Sequence, residues 1–177
     1  MAKRTLHVSY RSTAKNELRR MLVPFQSGGA LVDEGSNVVI FSLAHASRMY
    51  LDGDVYSAAV TLAPSPTPPY TGTRWVVQLN EDETWSFQNQ GHDEELLAGA
   101  NGIATLARVP TDPDMARLDT TRWLIYSDLG GFRLRPAMRD SGWLGVRDGK
   151  TVLSRPEEAA GRWLYWAIEP ALEEWRQ

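Results

Sequence analysis

A five-residue phrase recurs three times, and it limits the fold more than any other feature. Thr73-Arg74-Trp75-Val76-Val77 returns as Thr121-Arg122-Trp123-Leu124-Ile125 and as Gly161-Arg162-Trp163-Leu164-Tyr165. Each copy ends in alternating apolar residues, which puts Trp75/Val77, Trp123/Ile125 and Trp163/Tyr165 on one face of a strand. Trp75 to Trp123 is 48 residues and Trp123 to Trp163 is 40. A period in that range, roughly 20–50 residues, marks a fold built from repeated supersecondary units.

More of the repeat appears upstream of each Trp. Val60-Thr61-Leu62-Ala63 matches Ala104-Thr105-Leu106-Ala107 and Thr151-Val152-Leu153-Ser154. Phe41 and Leu51, Phe87 and Leu97, Leu134 and Leu144 are each ten apart, which aligns Val39 to Gly53, Trp85 to Gly99 and Phe132 to Val146 without gaps. Four short strands per repeat follow, with length changes confined to the loop before the Trp strand, where they cost least. Leu51, Leu97, Leu144, Leu62, Leu106, Leu153 and the three repeated Trp are the expected core.

Three repeats of four strands resemble the β-trefoil, and within it the ricin-B-like lectin group with its Gln-x-Trp motif. The resemblance covers residues 37–168. It implies an all-β fold with repeats at about 37–81, 82–128 and 129–168, and a non-enzymatic, carbohydrate-binding protein. In that family a sugar-binding Asp follows the core residue of the second strand. Asp52 after Leu51 matches it, whereas Ala98 and Gly145 stand there in the other repeats. The family's stacking aromatic corresponds to Ala63, Ala107 and Ser154, its Asn-Gln pair before the first Trp to Gly72-Thr73. The resemblance therefore implies one site in the first repeat: Asp52, with Gly53 and Asp54 shaping the turn and Tyr56 offering a ring face. Read for themselves, Asp52-Gly53 also suit a plain turn.

The same architecture serves other ends. β-Trefoil protease inhibitors of mushrooms are the rival resemblance, and here Ser65 to Tyr70 and Thr111 to Leu118 are the loops that would enter a protease. Four prolines between Ala63 and Gly72 make the first of these stiff and extended. A protein–protein interaction module is the third reading. The expected partner is thus a glycan or glycoprotein, or alternatively a protease.

Residues 1–36 and 169–177 flank the repeats. Leu6, Val8 and Tyr10 alternate as in a strand, and Leu18, Met21, Leu22 and Phe25 form a helical stripe after a cap at Ser12 or Thr13. A short strand–helix extension is expected, packed on the trefoil or on a second copy of the chain as a homodimer contact. Its first twenty residues carry Lys3, Arg4, Arg11, Lys15, Arg19 and Arg20 against Glu17, within a chain of net charge −3. Without interleaved aromatics this argues for a solvated face rather than nucleic acid. Pro170 is placed to start a short C-terminal helical turn.

Chemistry beyond binding has little support. Cysteine is absent, which excludes disulfides and thiolate metal sites and suits a cytoplasmic protein. Nothing approaches 18 consecutive apolar residues, and no apolar run follows Met1-Ala2-Lys3-Arg4, so neither a helical span nor a secretory signal is expected. The three histidines, His7, His45 and His92, show no zinc spacing. Ser42 and His45 lack the strained turn of a serine nucleophile. Asp93-Glu94-Glu95 reads as a solvated acidic loop. No catalytic residue, metal or cofactor is assigned.

Overall fold

The computed structural model describes residues 9–11, 18–20, 35, 37–54, 57–64, 71–92, 95–108, 119–128, 131–155 and 161–171. Two short strands come first, β1 (Ser9–Arg11) and β2 (Leu18–Arg20). Twelve more follow in three sets of four. They are β3 (Asn37–Ser42), β4 (Met49–Gly53), β5 (Val60–Ala63) and β6 (Arg74–Leu79); β7 (Trp85–Asn89), β8 (Glu95–Ala100), β9 (Ile103–Arg108) and β10 (Trp123–Asp128); and β11 (Gly131–Pro136), β12 (Trp143–Arg147), β13 (Lys150–Ser154) and β14 (Trp166–Pro170).

The first and last strands of each set form a barrel. β3 pairs with β6, β6 with β7, β7 with β10, β10 with β11, β11 with β14, and β14 back with β3, all antiparallel. The ring of six closes on itself, so no barrel edge is left unpaired. The two middle strands of each set make a hairpin: β4–β5, β8–β9 and β12–β13. A six-stranded barrel with three hairpins is the β-trefoil expected from the repeats.

The core shows the threefold rule at the level of single atoms. Leu51, Leu97 and Leu144 are fully buried, and each accepts a hydrogen bond at its carbonyl from an indole Nε1. Trp75 donates to Leu51 O at 3.1 Å, Trp123 to Leu97 O at 2.8 Å, and Trp166 to Leu144 O at 2.9 Å. An indole N–H must find such a partner when buried, so each Trp ties its barrel strand to its own hairpin. Val77, Ile125 and Ile168 stand two residues on and share the core.

Two registers differ from the sequence expectation. The third core tryptophan is Trp166, not Trp163, which is 47 % exposed. Backbone bonds fix this: Leu43 N, Gln90 N and Ala137 N donate to Tyr165 O, Arg74 O and Arg122 O. Tyr165-Trp166 is therefore the counterpart of Arg74-Trp75, and Trp163 lies in a 3-10 turn, Gly161–Leu164, matching the turn Thr71–Thr73. The first repeat also carries one extra residue between its first strand and Leu51. Ile40, not Phe41, is the equivalent of Phe87 and Leu134, all three fully buried in the barrel. A slip of one residue turns a strand over. Val39 and Phe41 accordingly face outward, into a separate cluster with Tyr50 and Ala167.

Leu106 is buried as expected, whereas Leu62 and Leu153 are partly buried against the core. Within the expected N-terminal helix, Leu18–Arg20 is instead a strand, with Ser9 opposite Arg20 and Arg11 opposite Leu18. β1 runs beside β10. Met21, Leu22 and Phe25 lie outside the described residues, as do residues 65–70, 111–118 and the expected C-terminal turn beyond Ala171. Pro170 ends β14 rather than starting a helix, and Ala171 N bonds to Asn37 O at 2.8 Å.

Candidate functional site

Asp52 and Gly53 lie inside β4, not in a turn: Asp52 pairs with Thr61 and Gly53 with Val60. Leu51 points into the core, so period-two alternation sends the Asp52 side chain outward. The turn begins at Asp54, whose N–H donates to Ala59 O at 3.0 Å and whose Oδ2 accepts from Ser57 Oγ at 2.6 Å. Tyr56 lies outside the described residues.

The floor of the site is the 3-10 turn before Trp75. A Cβ at position 72 would overlap both the Gly53 carbonyl and Asp52 Oδ1, so only glycine lets the two segments approach this closely. The far wall comes from the second repeat. Asn89, 2 % exposed, donates from Nδ2 to Gly72 O at 2.8 Å and accepts at Oδ1 from Gly91 N at 2.9 Å. It thus fixes the β7–β8 loop against the first repeat. That loop carries His92, whose Nδ1 is 3.5 Å from Glu95 Oε2 and whose buried Nε2 has no hydrogen-bond partner.

Asp52 itself is half-buried and accepts no hydrogen bond from any described residue. Burial raises its pKa above the ordinary 3.8, the neighbouring Asp54 raises it further, and His92 pulls the other way. The result is an acceptor between two repeats, half open to solvent and unused by the described residues. Among the described residues, no group of three or more His, Cys, Asp or Glu is placed to hold a metal ion.

The equivalent positions in the other repeats are closed. Ala98 is buried. A Cβ at Gly145 would sit 2.8 Å from Leu164 Cδ2 and 3.0 Å from Trp163 O, which leaves no room for a side chain. Of the residues expected at the site, the structure thus brings Asp52, Gly53 and Asp54 together. Asn89 and His92 were missed because they belong to the next repeat. Their one signal is positional: Asn89 matches Ser42, which caps its own loop by accepting from Ala44 N at 3.2 Å, and His92 matches His45.

No protein-family model matches the sequence, and no curated protein matches it. Solved structures do resemble the fold. A GH54 α-L-arabinofuranosidase superposes with a TM-score of 0.67 at 11 % identity, over 78 % of this chain and 31 % of that one. SeviL, in a complex with asialo-GM1 saccharide, gives 0.58 at 13 % identity over 77 % and 98 %. The designed threefold-symmetric protein ThreeFoil gives 0.56 at 14 % identity over 77 % and 99 %. The chain spans about a third of the arabinofuranosidase but nearly all of the other two. At these identities the likeness establishes the β-trefoil fold.

Proposed function

We propose that this β-trefoil chain is a carbohydrate-binding protein of the ricin-B-like kind, acting by binding rather than catalysis, with one site centred on Asp52. A single observation carries the reading: the Asp52 carboxylate is held half-buried at a junction of two repeats without a hydrogen-bond donor among the described residues. A carboxylate in that state can accept from two sugar hydroxyls. Asp54 and His92 flank it and supply further polar contacts. The fold neighbours support the reading by analogy, since SeviL is bound to a saccharide and an arabinofuranosidase, 31 % of which matches this chain, is complexed with arabinofuranosyl-α-1,2-xylobiose.

The test is a glycan array followed by titration of the Asp52→Asn variant, which keeps the shape and removes the charge. Binding should weaken by about 1.5–3 kcal/mol, the worth of a hydrogen bond to a charged group. Unchanged affinity in a folded variant would place the site elsewhere. No glycan bound, together with papain or trypsin inhibition that survives Asp52→Asn, would replace this reading with the inhibitor one.

A further inference from the structure

The three hairpins share one backbone but carry different chemistry on the face turned away from the core. Leu51, Leu97 and Leu144 point inward, so the third residue along points outward in each: Asp54, Ala100 and Arg147. Ala59 stands opposite Asp54 through the Asp54 N–H bond to Ala59 O at 3.0 Å. Ile103 pairs with Ala100 and Lys150 with Arg147. That end of the hairpin is therefore acidic in the first repeat, apolar in the second and doubly basic in the third.

Packing does not require two cations there. Ala100 and Ile103 close the same turn in the second repeat, and Ile103 is exposed just as Arg147 and Lys150 are. Like charges directly opposite on one face of a strand pair destabilise it. Asp148, in the turn between them, forms no ion pair with either. Arg147 donates instead from Nη2 to Ser154 Oγ at 3.5 Å. A third cation lies beside this pair. The 3-10 turn Gly161–Leu164 is seated on β12 at Gly145, two residues before Arg147, where a Cβ would come within 3.0 Å of Trp163 O. The turn exposes Arg162, which has no carboxylate partner among the described residues, and Trp163. Trp163 takes the place that Gly72 has under Asp52, so the first repeat's carboxylate over glycine becomes glycine under tryptophan in the third. His45 of the first repeat meets the indole edge-on, at 6.0 Å between ring centroids.

We propose that Arg147, Lys150 and Arg162, with Trp163 beside them, form a binding site for an anionic saccharide, a sugar ring that carries a carboxylate or a sulfate group. The anion accepts charge-assisted hydrogen bonds from side chains that otherwise repel one another. The indole offers its electron-rich face to the positively polarised C–H groups of the ring. Among the described residues Ile103 and Trp163 are the large apolar side chains left exposed, so no apolar patch is present for a membrane or a protein partner to cover. A long polyanion is disfavoured by the chain's net charge of −3, whereas a small one meets only the field within about 10 Å. This site lies on the third repeat and stands whether or not Asp52 binds a glycan.

Calorimetric titration tests this with an oligogalacturonate, a sulfated oligogalactose and the neutral oligogalactose, beside a single-stranded oligonucleotide of matching charge. An anionic sugar should bind about tenfold or more tighter than the neutral one, the worth of a hydrogen bond to a charged group. Preference for the carboxylate or for the sulfate supports the site and identifies the group. Arg147→Ala combined with Lys150→Ile installs the second repeat's residues at these positions. That variant should fold and lose the preference for the charged sugar. Trp163→Ala, a change at an exposed ring, should weaken the binding of the anionic sugar. Asp52→Asn should leave it unchanged, which separates this site from the one in the first repeat. If the double variant does not fold, Lys150→Gln at the exposed turn end gives the same readout with a smaller loss. Equal binding of charged and neutral sugars, a folded variant that keeps the preference, or tighter binding of the oligonucleotide overturns the proposal.

Discussion

A carboxylate that accepts no hydrogen bond from the described residues around it is costly to hold half out of water, and Asp52 is in that position. Burial and Asp54 together outweigh His92 and keep its pKa above the ordinary carboxylate value. For an acid raised on folding, the native state binds more protons than the unfolded state, so stability falls as pH rises. The loss begins near the ordinary 3.8 and is complete once pH passes the raised native value. Asp52→Asn should therefore melt higher than wild type at neutral pH, and the difference should vanish below the ordinary carboxylate range. A variant equally stable at both pH values would mean that the carboxylate is solvated after all. Asp82 shows the opposite case. Burial would raise its pKa, but the Thr84 hydroxyl at 2.6 Å, the Thr84 N–H at 3.2 Å and Arg122 at 2.7 Å together hold it low. That stabilisation is present above the unfolded-state pKa and is lost as pH falls through the native one. The pair is partly exposed, so Asp82→Asn should cost only about 0.2–1 kcal/mol at neutral pH in urea melts, less at high salt. At this scale the sequence was informative only within a repeat. Asp52 could be found from Leu51 beside it. Asn89 and His92 could not, because nothing local says that a loop some forty residues on folds back over that strand.

The tryptophan strands teach a similar lesson about registers. Arg162-Trp163-Leu164-Tyr165-Trp166 offers two tryptophans three apart, and the residues before Trp163 match the repeat phrase better. Geometry decides otherwise, since the 3-10 turn Gly161–Leu164 takes up Trp163 and leaves Trp166 to enter the barrel. Trp166 bonds to Leu144 O from a fully buried site, while Trp163 is about half exposed and meets the His45 ring edge-to-face at 6.0 Å between centroids. Trp166→Ala should thus cost about 3–5 kcal/mol. Trp163→Ala should cost about 0.5 kcal/mol or less, as surface changes do. Denaturant melts of the two variants check this directly, and reversed magnitudes would restore the original register. The one-residue slip in the first repeat has the same origin. Val38 to Phe41 is apolar on both faces because the outer face is buried too, so alternation gives no phase there. Leu18 departs from the helix for another reason. The stripe of Leu18, Met21, Leu22 and Phe25 rests on spacing alone, and at Leu18, its one described member, pairing with Ser9–Arg11 makes Leu18–Arg20 a strand. Tertiary pairing overrides local periodicity in so short a segment.

Number and order of strands were legible because three imperfect copies of one unit average out local ambiguity, and closure then follows from chain order. β3, the first strand of the barrel, lies beside β14, the last, with Ser42 opposite Trp166 and Val38 opposite Pro170. No repeat owns a core. The buried cluster joins Val38 and Ile40 from the first, Phe87 and Leu97 from the second, and Leu134, Leu144 and Trp166 from the third. A solenoid would lose stability one unit at a time as repeats are removed. Here the interior is shared and the ring has no edge to spare. Deleting residues 161–177 should therefore abolish folding rather than trim it. That deletion strips the Trp166 anchor, exposes both β3 and β11 as unpaired edges, and opens the apolar interior to water. The expected outcome is loss of the cooperative thermal transition, with aggregation through the open edges. The intact chain should unfold in one step, with tryptophan fluorescence and far-ultraviolet circular dichroism tracing coincident curves. Refolding should take milliseconds to seconds, because the closing β3–β14 contacts are so distant in sequence. A truncated chain that keeps a sharp transition, or an intact chain whose two probes separate, would mean that part of the barrel is stable by itself, and the shared core would then not be what holds the three repeats together.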